Sequence, residues 1–101
     1  MGGPGVPELL AALEDWYRSN CDGDWEHSYG VTIRTLDNPG WCVDVDLQGT
    51  GLEGHEFDPV QDERTEHDWV HCRVEKGVFK GAGGPGNLRE ILEQFLRWSA
   101  R

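Results

Sequence analysis

Apolar residues recur along this chain with two different periods, and the points of change divide it into helix, strands and helix. Leu9, Leu10, Leu13, Trp16 and Tyr17 stand three and four residues apart, which gathers them into one stripe of a helix. Pro7 suits the first turn, because its fixed φ fits a helix and its missing N–H has no partner there in any case. Turn residues from Asn20 to Gly23 end this helix. From Tyr29 the period becomes two: Tyr29, Val31 and Ile33 share one face, with Thr32 and Arg34 on the other. After the turn sequence Asp37-Asn-Pro-Gly40, Trp41, Val43, Val45 and Leu47 alternate with Cys42, Asp44, Asp46 and Gln48. This reads as a hairpin with one buried and one wet face.

Glu56 to Arg64 gives a weaker strand that contains Pro59, which places it at a sheet edge. Trp69 to Glu75 alternates again, with Val70, Cys72 and Val74 inward and Trp69, His71, Arg73 and Glu75 outward. Lys76-Gly77 turns into a short strand, Val78 to Lys80. In the closing helix, Leu88, Ile91, Leu92, Phe95 and Trp98 form the apolar stripe, and Asn87 and Glu90 have the spacing of a capping box. The expected architecture is α+β: a two-layer sandwich in which an antiparallel sheet of four to five strands carries the N-terminal and C-terminal helices on one face. Residues 1–6 read as a disordered tail and residues 7–101 as a single domain.

Charge changes this picture more than composition does. Nineteen acidic against nine basic side chains give a formal charge of −10 over 101 residues. Such a field repels nucleic acid and anionic membrane surfaces and draws in basic partners, although acidity also serves plain solubility. The run from Glu53 to Asp68 holds seven carboxylates and one Arg, and reads equally as a solvated face or as a surface for a basic cleft. No apolar run is long enough to span a bilayer, and the first residues lack the pattern of a signal peptide, so a cytoplasmic location is expected. Three cysteines, an odd number, form no disulfide framework.

Candidate chemistry is sparse. Gly81-Ala-Gly-Gly-Pro-Gly86 matches G-x-G-x-x-G, but a dinucleotide fold needs a second parallel strand, and only Asn87 to Arg101 follow. These glycines are therefore expected to make a tight strand-to-helix connection with positive φ. The stretch Cys21 to His27 collects metal-capable groups without the paired spacing of a zinc site, and an EF-hand register starting at Asp22 puts Ile33 at the position that requires Glu. His67 and His71 lie on one face of a strand about 13 Å apart. No nucleophile elbow or Cys-His signature is present, so no catalytic residue, metal or cofactor is assigned. The residues expected to meet a partner are Asp44, Asp46, Trp69, His71 and Arg73 on the wet sheet face, with Asp22, Asp24 and Glu26 in the acidic loop.

Several stretches are more distinctive than a small domain requires. They are Cys21-Asp-Gly-Asp-Trp-Glu-His-Ser-Tyr-Gly30, Thr35-Leu-Asp-Asn-Pro-Gly-Trp41 and Gly81-Ala-Gly-Gly-Pro-Gly-Asn-Leu88, together with Phe57-Asp-Pro-Val60, Asp68-Trp-Val-His-Cys72 and Gly77-Val-Phe-Lys-Gly81. In this order, from about Leu9 to Trp98, the chain resembles the immunity protein 53 family, small bacterial proteins encoded beside polymorphic toxins. The resemblance implies a non-catalytic inhibitor of a cognate toxin domain, a basic nuclease being a partner that suits the charge. Monomer and homodimer both fit. The alternative is a small enzyme or ligand-binding domain that uses the loop Asp22 to His27, and a third reading is an adaptor that inhibits nothing.

Overall fold

A computed structural model of the chain describes residues 6–100. Of the expected tail, residues 1–5 lie outside that range, and the first helix opens at residue 6. The elements are α1 (Val6–Asn20), α2 (Trp25–Ser28), β1 (Val31–Leu36), β2 (Gly40–Asp46), β3 (Val60–Thr65), β4 (Asp68–Glu75), β5 (Val78–Gly83) and α3 (Leu88–Ser99). The strands form one antiparallel sheet in the order β1-β2-β5-β4-β3, so the expected α+β arrangement is present with five strands. Pro59 falls just before β3, where its missing N–H removes nothing from the ladder, and β3 is an edge strand as its sequence predicts.

Alternation sorts the strands as expected. Val43, Val45, Val70, Cys72 and Phe79 point inward and are buried against α3. Asp44, Asp46, His71 and Arg73 stand on the opposite face. Phe95 of α3 occupies the centre of the core, with Trp16 at 5.0 Å, Phe79 at 5.1 Å and Trp98 at 6.3 Å between ring centroids. Phe57, from the loop before β3, closes this group edge-on against Phe79 and Trp98 at 5.4 and 5.2 Å. Tilted and perpendicular pairs of this kind are favoured by the ring quadrupoles.

The two terminal helices are not equivalent. α3 lies directly on β5, β4 and β2, whereas α1 reaches the core chiefly by packing on α3. Leu9, Leu13 and Trp16 of the predicted α1 stripe therefore meet the core, while Leu10 and Tyr17 remain exposed. β1 extends past the edge of the helical layer. Ile33 is the register partner of the fully buried Val43, yet it is 40% exposed, because α3 does not reach that far.

The largest departure from the sequence reading is in the glycine-rich segment. β5 does not stop at Lys80 but runs on to Gly83, and positive φ occurs at Gly23, Gly49, Gly54, Lys76 and Gly77 rather than anywhere in Gly81 to Gly86. Gly81, Gly83 and Gly84 are required by close approach instead. A Cβ on Gly81 would collide with Cγ2 of Ile91 and come within 3.2 Å of the Phe79 ring. At Gly83 it would lie 2.9 Å from the Trp69 carbonyl oxygen and 3.1 Å from Cδ1 of Ile91, and at Gly84 it would collide with the His67 carbonyl. The first turn of α3 thus rests on bare backbone. Overpacking of a filled core costs about 1–3 kcal/mol. Gly81→Ala is accordingly expected to lower the melting temperature by several degrees or more, read by thermal circular dichroism, whereas Gly86→Ala, whose Cβ would meet open space, changes it little.

Candidate functional site

Eight residues were expected to meet a partner, and the structure divides them between two places. Five lie on the sheet face that carries no helix. Its register sets them in rows across the strands: Arg34, Cys42, Ala82, His71 and Gln61 form one row, and Thr32, Asp44, Lys80 and Arg73 form the next. Asp46, Val78 and Glu75 form the row beyond. Trp69 stands at the other end, opposite Glu63, so about 20 Å of strand separates its row from that of Asp46. One end of the face is aromatic, floored by small residues. The other is charged, and of mixed sign, because Lys80 sits between Asp44 and Arg73.

The two aspartates have different roles. The carboxylate of Asp46 accepts the Gly30 N–H at 3.0 Å and so fastens the start of β1, a structural task that its sequence position did not reveal. Asp44 faces Thr32 and Lys80 across the strands and is part-exposed.

Trp69 is half-buried. Its ring meets His71 edge-on at 5.1 Å between centroids, and His71 donates through Nε2 to Oε2 of Glu63 at 2.9 Å. Together with Arg64, Thr65 and Glu66 these residues line a cavity of about 490 Å³ at the corner where β3 turns into β4. Glu63 and Glu66 in this cavity belong to the acidic run and were not singled out in the sequence. The signal that could have found Glu63 is its register opposite Trp69, and that depends on pairing two strands across the turn.

Behind this corner lies a polar hub. Arg64 donates to Asp62 at 2.7 Å, to Asp68 at 2.8 Å and to Glu90 of α3 at 2.7 Å. Asn87 was expected to cap α3, but its side chain makes no cap bond. It turns toward the sheet instead. Its Oδ1 accepts the Trp69 N–H at 3.3 Å, and its Nδ2 donates to Asp68 at 3.0 Å and to Glu90 at 3.2 Å. A buried amide that satisfies strand and helix together outweighs a cap, since leaving those groups unpaired would cost more. The Arg64 guanidinium, helped by Asn87, holds the Asp68 carboxyl below its ordinary pKa.

The remaining three residues, Asp22, Asp24 and Glu26, belong to a loop that closes on itself. Asp22 Oδ1 accepts the N–H groups of Asp24 and Trp25, and Glu26 accepts those of Asp22 and Gly23. Backbone donors therefore hold both the Asp22 and Glu26 carboxyls below their usual pKa, which keeps them ionised and makes them poor proton donors. Within the loop, residues 25–28 form the short helix α2, which the sequence did not disclose. Trp25 is buried and donates its indole N–H to the Gln48 carbonyl at 2.8 Å, so it anchors the loop. Among the described residues, no three His, Cys, Asp or Glu side chains converge as a metal centre requires, and no helix is long and apolar enough to cross a membrane. The inward Cys72 is buried, and desolvation pushes its thiol up to about 12.

A carboxyl held below its unfolded pKa adds stability that is complete above the ordinary carboxylate range, about 4, and is lost as pH falls through the folded value. Asp68→Asn is therefore expected to lower the urea midpoint at pH 7, and the gap from wild type should close progressively below about pH 4. The thiols should differ as well. With its pKa near 12, native Cys72 resists iodoacetamide at about pH 8 and reacts only in denaturant, as peptide mass mapping would show.

Three of the segments that made the sequence distinctive meet in this fold. Asp68 and Trp69 of one segment bond Asn87 of another, Trp41 donates its indole N–H to Pro85 at 2.9 Å, and Gly83 and Gly84 pack beneath them. No curated protein and no solved structure matches the chain. The family model described as Immunity protein 53 matches residues 10–100, a span that takes in every one of these contacts, and the chain belongs to that family.

Proposed function

We propose that this protein is a cytoplasmic, non-catalytic inhibitor that binds a cognate secreted toxin domain and neutralises it stoichiometrically, docking it on the uncovered face of the sheet. The observation that carries the choice of surface is the placement of Trp69. Trp25, Trp41 and Trp98 each donate an indole N–H to a backbone carbonyl within the fold, at 2.8, 2.9 and 2.8 Å. Trp69 instead lies half-buried on the helix-free face and opens into a cavity. A rigid aromatic held beside charged groups is the usual form of a dominant interface anchor. Asp44, His71 and Arg73 share its face and supply polar contacts around it. Asp46 is fixed by Gly30, and Asp22 and Glu26 are engaged with their own loop, so Asp24 is the carboxylate of that loop best placed to add to the field.

The charge of −10 favours a basic partner, and a nuclease that carries Lys and Arg for phosphate is the class it fits best. The alternative of a small enzyme built on Asp22 to His27 gains no support, since the two carboxyls that would act as acid or base are occupied by backbone N–H groups.

The test is calorimetric titration of the toxin domain encoded beside this chain. Nanomolar or tighter binding is expected. Trp69→Ala should weaken it by about 2 kcal/mol or more, and Asp44→Lys should reduce chiefly the association rate at low salt. Asp44→Lys sets a like charge opposite Lys80 but lies on the wet face, outside the buried core, so it should lower the melting temperature by only a few degrees. Absence of binding by the wild-type chain would overturn the reading.

A further inference from the structure

We propose that the cavity at the β3–β4 corner is a socket for one basic side chain of the toxin, with arginine the best fit. The proposal rests on the inhibitor reading above and specifies what the sheet face recognises. One wall is the Trp69 ring, held in place by His71, which Glu63 in turn orients. Glu63, Glu66 and Thr65 supply acceptors around it. Arg64 also lines the cavity and would at first sight repel a cation. Its guanidinium, however, is already shared among Asp62, Asp68 and Glu90, three carboxylates against one positive charge. The lining carboxylates outside that hub are Glu63, which is paired with His71, and Glu66.

An aromatic face with carboxylates at its margin is the arrangement that attracts a cation, through the ring quadrupole and through charge-assisted hydrogen bonds together. Arginine suits it better than lysine. A planar guanidinium can lie on the indole and present its remaining N–H groups sideways to a carboxylate, and it loses its weaker hydration more readily than an ammonium. Other occupants fit less well. A second copy of this chain brings a further −10, and nucleic acid brings phosphates, both repelled by the same carboxylates.

The experiment is titration of the toxin domain encoded beside this chain against wild type, Glu66→Gln, Trp69→Phe and a charge control on α1, Glu14→Gln, at low and moderate salt. Glu66 is exposed on the β3–β4 turn, so its replacement leaves the core untouched. Glu66→Gln is expected to weaken binding about fivefold or more at low salt, with less effect at higher salt. Trp69→Phe should weaken it about tenfold, since the smaller ring is a poorer cation acceptor. Glu14→Gln should change it little, because α1 lies away from the uncovered sheet face. Arg→Gln replacements in the toxin, taken in double-mutant cycles with Glu66→Gln, should identify one arginine whose loss is not additive with that of Glu66. Tight wild-type binding that Glu66→Gln and Trp69→Phe leave unaltered would overturn the socket while the inhibitor reading stands. Equal losses from Glu66→Gln and Glu14→Gln, without a coupled arginine, would likewise overturn it, since they report only the general field. If the wild type does not bind, the inhibitor reading fails and the toxin arginine falls with it.

Discussion

The fold depends on how closely α3 can approach β5. Helix on sheet is the one large apolar contact available to a chain of this length, and here the helix N-terminus rests on strand backbone rather than on side chains. Gly81 and Gly83 leave the space that Ile91 fills, and Gly84 lets the turn before α3 pass against the His67 carbonyl. Once the helix is that close, Asn87 can reach the backbone of Trp69 and the carboxylate of Asp68, and Glu90 can reach Arg64 on the edge strand. A methyl group at either inward glycine would lift the helix and lengthen these bonds together. Glycine is costly in a strand in entropy and lost packing. Its presence at two inward positions is explained by the helix that occupies the space.

Tryptophans do for the loops what glycines do for the helix. Trp25, Trp41 and Trp98 each carry an indole N–H to a carbonyl far away in sequence, at Gln48, Pro85 and Glu56. Each bond ties an irregular segment to the frame, and each ring adds buried area that a small core needs. Both terminal helices and most of the loop anchors thus stand on one side or at the ends of the sheet. The other face is left without cover, and its shape is fixed by a frame that does not depend on it. A face of that kind, Asp46 apart, can change its outward side chains with little effect on the fold.

Much of this frame was legible in the sequence. Period-two alternation through Trp41 to Leu47 and Trp69 to Glu75 sorted inward from outward residues correctly, because a buried face imposes its pattern on every second position. The stripe of α3 was equally clear. What escaped depends on contacts between distant segments. Local preference makes Asn87 a cap, and only the arrival of β4 makes it a bridge. Ile33 alternates as a core residue, yet the helical layer stops short of β1. Asp46 looks like any solvated carboxylate until Gly30 folds against it. For the candidate site, Trp69, His71 and Arg73 could be placed on one face from alternation alone, whereas the cavity beside them required the pairing of Glu63 with Trp69.

The distribution of charge follows from the same geometry and separates two contributions to recognition. The sheet face itself is of mixed sign, with Arg34, Lys80 and Arg73 set among Asp44, Asp46 and Glu75. The excess of carboxylates lies elsewhere, along the run from Glu53 to Asp68 and in the loop at Asp22 to Glu26. Along β3 those charges also guard an open strand edge, which would otherwise invite another strand. A field whose sources lie mostly outside the contact accelerates the encounter with a basic partner but holds it only weakly once bound. Residence then falls to the few groups that become desolvated on docking. In the docking proposed for this face those would be the ring of Trp69 and the carboxylates beside it, where the general field and the local contact would have the same sign.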